Sequence, residues 1–169
     1  TFARCRSCGL VTLDAPLDPQ SIAEAYDDSY YGGGLRKLVG GLHGVRVRHA
    51  AKKAARISRM CGPGRKRLFD VGCGEGLFLR AMLERGWGGD GNEIGPTALR
   101  RAQRLTGTPL SDRDLLDIPI EEGTYDAVTL WQVFEHLEQP VETLQKAHRM
   151  LKTDGLLAVS VPNARSWQA

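Results

Sequence analysis

The sequence predicts an α/β protein with a Rossmann-like, doubly wound and mostly parallel sheet of strand order 3-2-1-4-5. Three observations carry that prediction. From Arg67 onward, short apolar runs alternate with amphipathic stretches, the signature of repeated βα units. The first run, "LFDVGCGEG" (68–76), passes from apolar residues through an acid into three glycines at spacing two and then directly into a helical pattern. The second run ends in another acid, Glu93, 23 residues after Asp70, where open α/β sheets meet their ligands beyond the carboxyl ends of the strands.

The elements follow in order. Residues 1–34 read as a cysteine knuckle, "CRSCGLV", and a turn-rich leader with a short helix around Ser21–Tyr26. Residues 35–62 form a basic helical segment. Its helix is expected from Gly44 to about Met60, with Val47, Ala50, Ala54, Ile57 and Cys61 on one face, and "CGPG" stops it. Residues 63–169 form the core. "RLFDV" is the first strand, and "LFLRAMLER" is a helix closed by Gly86. "WGGDGNE" is a glycine-rich second strand, and "PTALRRAQRL" is a helix with Pro96 at its start and Gly107 past its end. A short third strand is expected around "PLSD", a fourth at "YDAVTLWQVF", a helix from Pro140 to Gly155, and a fifth strand at "GLLAVSVPN".

Bulk properties narrow the class of protein. The 169 residues suit one domain, and 41% hydrophobic with 25% charged residues is ordinary for a globular chain. No apolar run approaches the ~20 residues of a membrane span, so no membrane partner is expected. Cys5, Cys8, Cys61 and Cys73 do not form a disulfide framework, which places the chain in a reducing, cytoplasmic setting. The net charge of +3 is unevenly spread: between Ser29 and Phe69 there are eleven Lys and Arg residues, and all 20 acids lie elsewhere. Such a stripe either attracts a polyanion or is a solvated face that pairs with acids of the fold.

The glycine loop supplies the chemistry. Glycines let a backbone turn tightly and approach a ligand closely, and the helix beyond them offers unpaired N–H groups. Gly72, Gly74 and Gly76 therefore read as the floor under a nucleotide-like ligand. Leu77 stands where a dinucleotide fingerprint needs its last glycine. Asp70 before the loop would repel a pyrophosphate but engage an ammonium, directly or through water. A cofactor with an amino-acid moiety fits better than NAD. Glu93 suits a ribose diol, or serves as an acid favoured by a helix N-terminus.

These stretches, with "GNE", "SDRDLLDIP", "YDAVTLWQVFEHLEQP" and "LKTDGLLAVSVPN", make residues 66–163 resemble the class I S-adenosylmethionine-dependent methyltransferases. The front segment is similar to the leader of a branch with a zinc-ribbon-like N-terminus. The resemblance implies S-adenosylmethionine or S-adenosylhomocysteine as cofactor and, as methyl acceptor, a small molecule or, alternatively, RNA or protein docked on the 36–67 stripe. It implies a loop of Gly72, Cys73, Gly74 and Gly76 under the methionine and ribose, with Asp70 near the amino group and Glu93 on the ribose. Ile94 would pack on the adenine, unless it is core. Asp114 would accept from the adenine amino group with Leu115 beside it, although Asp112 and Asp117 crowd the same loop. Gln132 would lie near the methionine end. His136 is the candidate general base, or else shapes its loop with Glu135. Tyr26, Tyr30 and Tyr31 would cover the pocket or pack as an aromatic cluster.

Two departures stand out. Structural zinc wants four ligands, and Cys5 and Cys8 are a single pair, so no metal is expected unless partner ligands exist upstream. Members of the family continue past the fifth strand with a helix and an antiparallel pair that complete seven strands. That end is expected to be missing here, leaving a free fifth-strand edge for a homodimer or a truncated, non-catalytic binding domain.

Overall fold

The computed structural model describes residues 2–9, 11–13, 40–64 and 66–163. The chain divides into two units, Thr1–Leu35 and Arg36–Ala169. In the smaller, β1 (Phe2–Arg4) and β2 (Val11–Leu13) pair antiparallel with Ala3 opposite Thr12. Cys5 and Cys8 lie in the connecting turn, where the Gly9 N–H donates to the Cys5 carbonyl at 3.0 Å. The predicted leader helix and Tyr26, Tyr30 and Tyr31 fall outside the described residues.

The larger unit opens with α1 (Gly40–Cys61), four residues longer at its start than the sequence predicts. Ala50, Ala54 and Ile57 are buried as expected; Val47 is 43% exposed, because the core does not extend under that end of the helix. The Arg85 guanidinium ties α1 down by donating to the carbonyls of Ala51 and Ala81.

β3 (Arg67–Val71), β4 (Gly88–Asn92), β5 (Tyr125–Trp131) and β6 (Leu151–Ser160) form one parallel sheet of order β4-β3-β5-β6. Helices α2 (Leu77–Leu83), α3 (Pro96–Thr106) and α4 (Pro140–Met150) connect the strands. The expected third strand is reduced to one parallel bridge, Ser111 against Asn92, on the outer side of β4. Its place agrees with the order 3-2-1-4-5. Pro109 has no N–H to extend the ladder, and Asp114 turns the chain into a 3-10 turn, Leu115–Asp117.

Alternation along β3 sends Leu68 and Phe69 to opposite faces. Leu68 joins Ala54, Ile57, Leu79 and Met82, whereas Phe69 joins Val128, Leu130, Ala147 and Met150, so each face of the sheet has its own core. None of the described helices is long and apolar enough to cross a membrane.

Helix α4 ends at Met150 rather than Gly155. Its last carbonyls, from Arg149 and Met150, accept the N–H groups of Gly123 and Thr124, which stops the helix and starts β6 at Leu151. The register then jumps from Tyr125–Leu151 to Ala127–Leu156. The bulged segment is held by Lys152, whose Nζ lies 2.9 Å from Asp126.

Strand β4 is built by closeness rather than propensity. A Cβ at Gly91 would lie 2.6 Å from the Asp70 carbonyl oxygen, and one at Gly89 2.5 Å from Leu79 Cδ1. Gly91→Ala forces backbone apart and is expected to destabilise by about 1–3 kcal/mol or more. Gly74→Ala meets open space at φ +56° and is expected to lose only about 1–2 kcal/mol from the left-handed backbone. Urea unfolding of the two variants checks the order; equal losses would refute it.

Candidate functional site

The loop from β3 to α2 holds Gly72, Gly74 and Gly76 at φ +60°, +56° and +80°. At Gly76 a Cβ would lie 3.0 Å from the Ala102 backbone, so this glycine also lets α3 pack against the loop. Asn92 and Glu93, at the end of β4, hold the loop from below. The Gly72 N–H donates to Asn92 Oδ1 (3.3 Å), and the Cys73 N–H to the Asn92 carbonyl (2.9 Å). The Gly74 N–H donates to Glu93 Oε2 (2.8 Å), and the Gly95 N–H to Glu93 Oε1 (2.7 Å). Each carboxylate oxygen keeps a second lone pair.

Asp70 lies under the start of the loop, 1% exposed, and accepts from the Thr129 hydroxyl at 2.6 Å. Burial pushes its carboxyl up to about 7, against the opposing pull of Thr129 and of the Lys53 charge. Lys53 reaches this place from α1, its Nζ 4.4 Å from the centroid of the Trp131 ring. Loss of hydration lowers its ammonium, and Asp70 partly offsets this. Phe78 meets Trp131 edge-on, and the buried Trp131 Nε1 has no hydrogen-bond partner among the described residues. Burial, then Asp70 and Glu93, push the Cys73 thiol up, so it stays protonated and is no nucleophile.

Glu75 projects from the loop onto two arginines, Arg46 of α1 and Arg101 of α3, each 2.7 Å away. Although burial opposes it, these partners hold the Glu75 carboxyl below its ordinary range. The loop is thus clamped by both neighbouring helices.

The remaining candidates fall around this centre. Ile94 is 65% exposed beside Glu93, which removes the core reading for it. Asp114 caps its own 3-10 turn by accepting the Leu116 N–H at 2.8 Å, and Leu115 is buried in the core. The Lys146 ammonium fastens that turn through the carbonyls of Leu116 and Ile118, and Asn92 Nδ2 donates to the Arg113 carbonyl. Gln132, directly after β5, has a left-handed backbone at φ +58°, held by its N–H on the Ser160 carbonyl (2.8 Å) and its amide on Ser160 Oγ. His136 follows in a 3-10 turn, Phe134–His136, partly exposed and 3.9 Å from Glu135.

Cys5 and Cys8 lie in the hairpin of the smaller unit; N–H groups of Cys8 and Ser7 lower the Cys5 thiol. Among the described residues, no three His, Cys, Asp or Glu side chains cluster to hold a metal ion.

Sequence reasoning missed Lys53, Arg46, Thr129 and Asn92. The signal for the first two was spacing: Arg46 and Lys53, seven apart, share the flank of α1 next to the buried Ala50–Ala54 stripe.

A sequence profile described as a methyltransferase domain matches residues 45–169. A ubiquinone biosynthesis O-methyltransferase of Pseudomonas aeruginosa is 30% identical over 113 residues, 63% of this chain and 49% of its own length. One from Marinobacter nauticus is 33% identical over 106 residues, 58% and 44% of the two chains. The chain thus spans about half the length of the curated relatives it matches. Among solved structures, a sugar N-methyltransferase from Streptoalloteichus is similar at 26% identity and TM-score 0.61, over 79% of this chain and 56% of that one. An S-adenosylmethionine-dependent methyltransferase of Methanococcus maripaludis shares the fold at 15% identity and TM-score 0.63, over 84% and 61%.

The raised Asp70 carboxyl makes a pH prediction. Its folded value, about 7, lies above the ordinary 3.8, so between these values the folded state binds more protons than the unfolded one. Stability is fully present at low pH and falls as pH rises toward 7, by at most roughly 4 kcal/mol. Asp70→Asn is expected to flatten that part of the curve. Urea unfolding at pH 5 and pH 8 tests it: wild type should lose more stability than Asp70→Asn, and parallel losses would contradict the prediction.

Proposed function

The chain belongs to the S-adenosylmethionine-dependent class I methyltransferases, and on that premise we propose that it transfers a methyl group to a hydroxyl of a small-molecule acceptor. One observation carries the reading of the site: the buried acid Asp70 and the half-buried cation Lys53 oppose each other at the head of the glycine loop. That pair suits the ammonium and carboxylate of an amino-acid moiety. Glu93, with two lone pairs left beside the exposed Ile94, suits a ribose and an apolar base face. The crest of the loop at Gly74 faces open space, so the residues present fit S-adenosylmethionine.

When bound, the cofactor supplies a methyl group activated on a sulfonium. The chain's own work is positioning, which can account for much of the acceleration of an in-line transfer. In this reading Lys53 and Asp70 fix the amino-acid end, Glu93 the ribose and Ile94 the adenine, with Asp114 at the rim. The left-handed backbone at Gln132 orients the segment that leads to His136. A hydroxyl acceptor must lose a proton, and His136 is proposed to take it at an imidazole nitrogen. The O-methyltransferase relatives support an oxygen acceptor, and the four free cysteines are in keeping with a cytoplasmic setting.

Calorimetric titration tests the cofactor reading. Wild type is expected to bind S-adenosylhomocysteine with micromolar affinity, about −8 kcal/mol, and Glu93→Ala to lose it. Lys53→Met is expected to weaken S-adenosylhomocysteine at least tenfold but to leave 5′-methylthioadenosine, which lacks the amino-acid moiety, unchanged. Equal weakening of both ligands would remove Lys53 from the carboxylate. For the transfer, His136→Ala should reduce turnover of labelled methyl onto hydroxyl acceptors by 10²-fold or more with cofactor affinity intact; undiminished turnover would rule out the base.

A further inference from the structure

We propose that the outward face of α1 is a docking surface for the phosphate backbone of a nucleic-acid strand. The inference is independent of the methyl-transfer reading and uses none of its residues. At 100° per residue, Arg48, Lys52 and Arg59 fall within about 40° of one another, directly opposite the buried Ala50, Ala54 and Ile57. Arg56 flanks them, and all four are exposed. From Arg48 to Arg59 the row covers about 16 Å of helix axis, the length of roughly five phosphates at the per-strand spacing of a duplex.

The solvated-face explanation makes a prediction that α1 does not meet. A helix face that needs only solubility gains from interleaved acids, since opposite charges four apart attract and like charges repel. Elsewhere on the described surface Arg46, Arg67, Arg80, Arg101 and Lys152 each lie within 2.9 Å of a carboxylate oxygen, whereas α3, which also lacks an acid, sets two like charges, Arg100 and Arg104, four apart. Helix α1 has no acid in its 22 residues. Arg48, Lys52 and Arg56 repeat at the repulsive spacing of four, and no carboxylate among the described residues pairs with them or with Arg59. A polyanion laid along the row relieves that repulsion.

The row runs into an open cleft of about 630 Å³ at the end of α1, lined by Ser58, Arg59, Gly62, Gly64, Arg85 and Trp87. The Ser58 hydroxyl is buried beside the cleft without a hydrogen-bond partner among the described residues, and the exposed Arg59 carries the row to its edge. Trp87 is only 7% exposed, so the cleft offers no ring for a base to stack on. Recognition is therefore of backbone and not of sequence. An anionic membrane is the weaker match: the exposed apolar residues Val45 and Met60 stand at opposite ends of the helix, and Val47 lies on another flank, with no continuous apolar strip to enter a bilayer.

Fluorescence anisotropy with a labelled oligouridylate, across a salt series, tests the proposal on the whole chain. Four phosphate contacts predict a slope of log K against log salt of about −3, and each single Arg→Gln or Lys→Gln change at positions 48, 52, 56 or 59 is expected to reduce it by about 0.7. The combined Arg48→Glu, Lys52→Glu and Arg59→Glu variant should bind at least tenfold more weakly, with circular dichroism and S-adenosylhomocysteine binding as in wild type. If that variant does not fold, the single-substitution slopes decide. No binding at low salt, slopes unmoved by the substitutions, or tighter binding to phosphatidylglycerol vesicles than to the oligonucleotide would overturn it.

Discussion

The loops that leave β3 and β4 at the carboxyl end of the sheet depend on where the Glu93 carboxylate sits. It accepts one N–H from the loop after β3 and one from the turn after β4, so two loops that diverge from neighbouring strands are fixed to one side chain. Charge-assisted bonds to backbone N–H groups are about twice as strong as neutral ones, and at 7% exposure this carboxylate is shielded from competing water. Asn92 repeats the device one residue earlier, with its carbonyl groups turned to the glycine loop and its amide to Arg113. Two consecutive residues at the end of one strand thereby set the spacing of three loops.

The helix before the core is a working part of the same arrangement, and each of its sides has a different task. Ala50, Ala54 and Ile57 supply the apolar contact. The adjoining flank sends Arg46 to Glu75 on the glycine loop and Lys53 over Trp131 toward Asp70. The third side faces outward and carries Arg48, Lys52, Arg56 and Arg59, with no carboxylate partner among the described residues. Because Glu75 is shared by Arg46 and Arg101, α1 and α3 are coupled through a loop residue that reaches neither core. Movement of α1 away from the sheet would break that pair and withdraw Lys53 at once.

The sequence made the strand–helix alternation, the sheet order and the acids at the ends of β3 and β4 legible, because each follows from local pattern: periodicity, glycine spacing and the position of an acid after an apolar run. What it left obscure was decided by distant partners. Helix α4 reads as continuing to Gly155, since nothing local announces that Gly123 and Thr124 will take up its last carbonyls. Val47 fits the apolar stripe, but no core lies beneath it. Lys53 belongs by composition with the other basic residues of α1, and only the packing of that helix against α2 and β5 brings it to Asp70. Thr129, in the middle of an apolar strand, gave no sign that its hydroxyl meets a buried acid.

That buried acid gives the site its electrostatic character. An aspartate 1% exposed, with one hydroxyl donor and a cation at the edge of its reach, is under-compensated, which is why its carboxyl rises to about 7. Lys53 is under-compensated in the opposite sense, its ammonium lowered mainly by loss of hydration. Two such groups stabilise one another only partly, because their distances are set by separate elements, β3 and α1. A zwitterion placed between them would supply to each the charge that it lacks, and would restore both toward their ordinary ionisation. Each unit of pKa so recovered corresponds to about 1.4 kcal/mol of differential interaction, and that energy appears as affinity. A neutral nucleoside gains nothing from this pair, so the selectivity of the pocket for an amino-acid-bearing ligand comes from charges that the fold leaves unsatisfied.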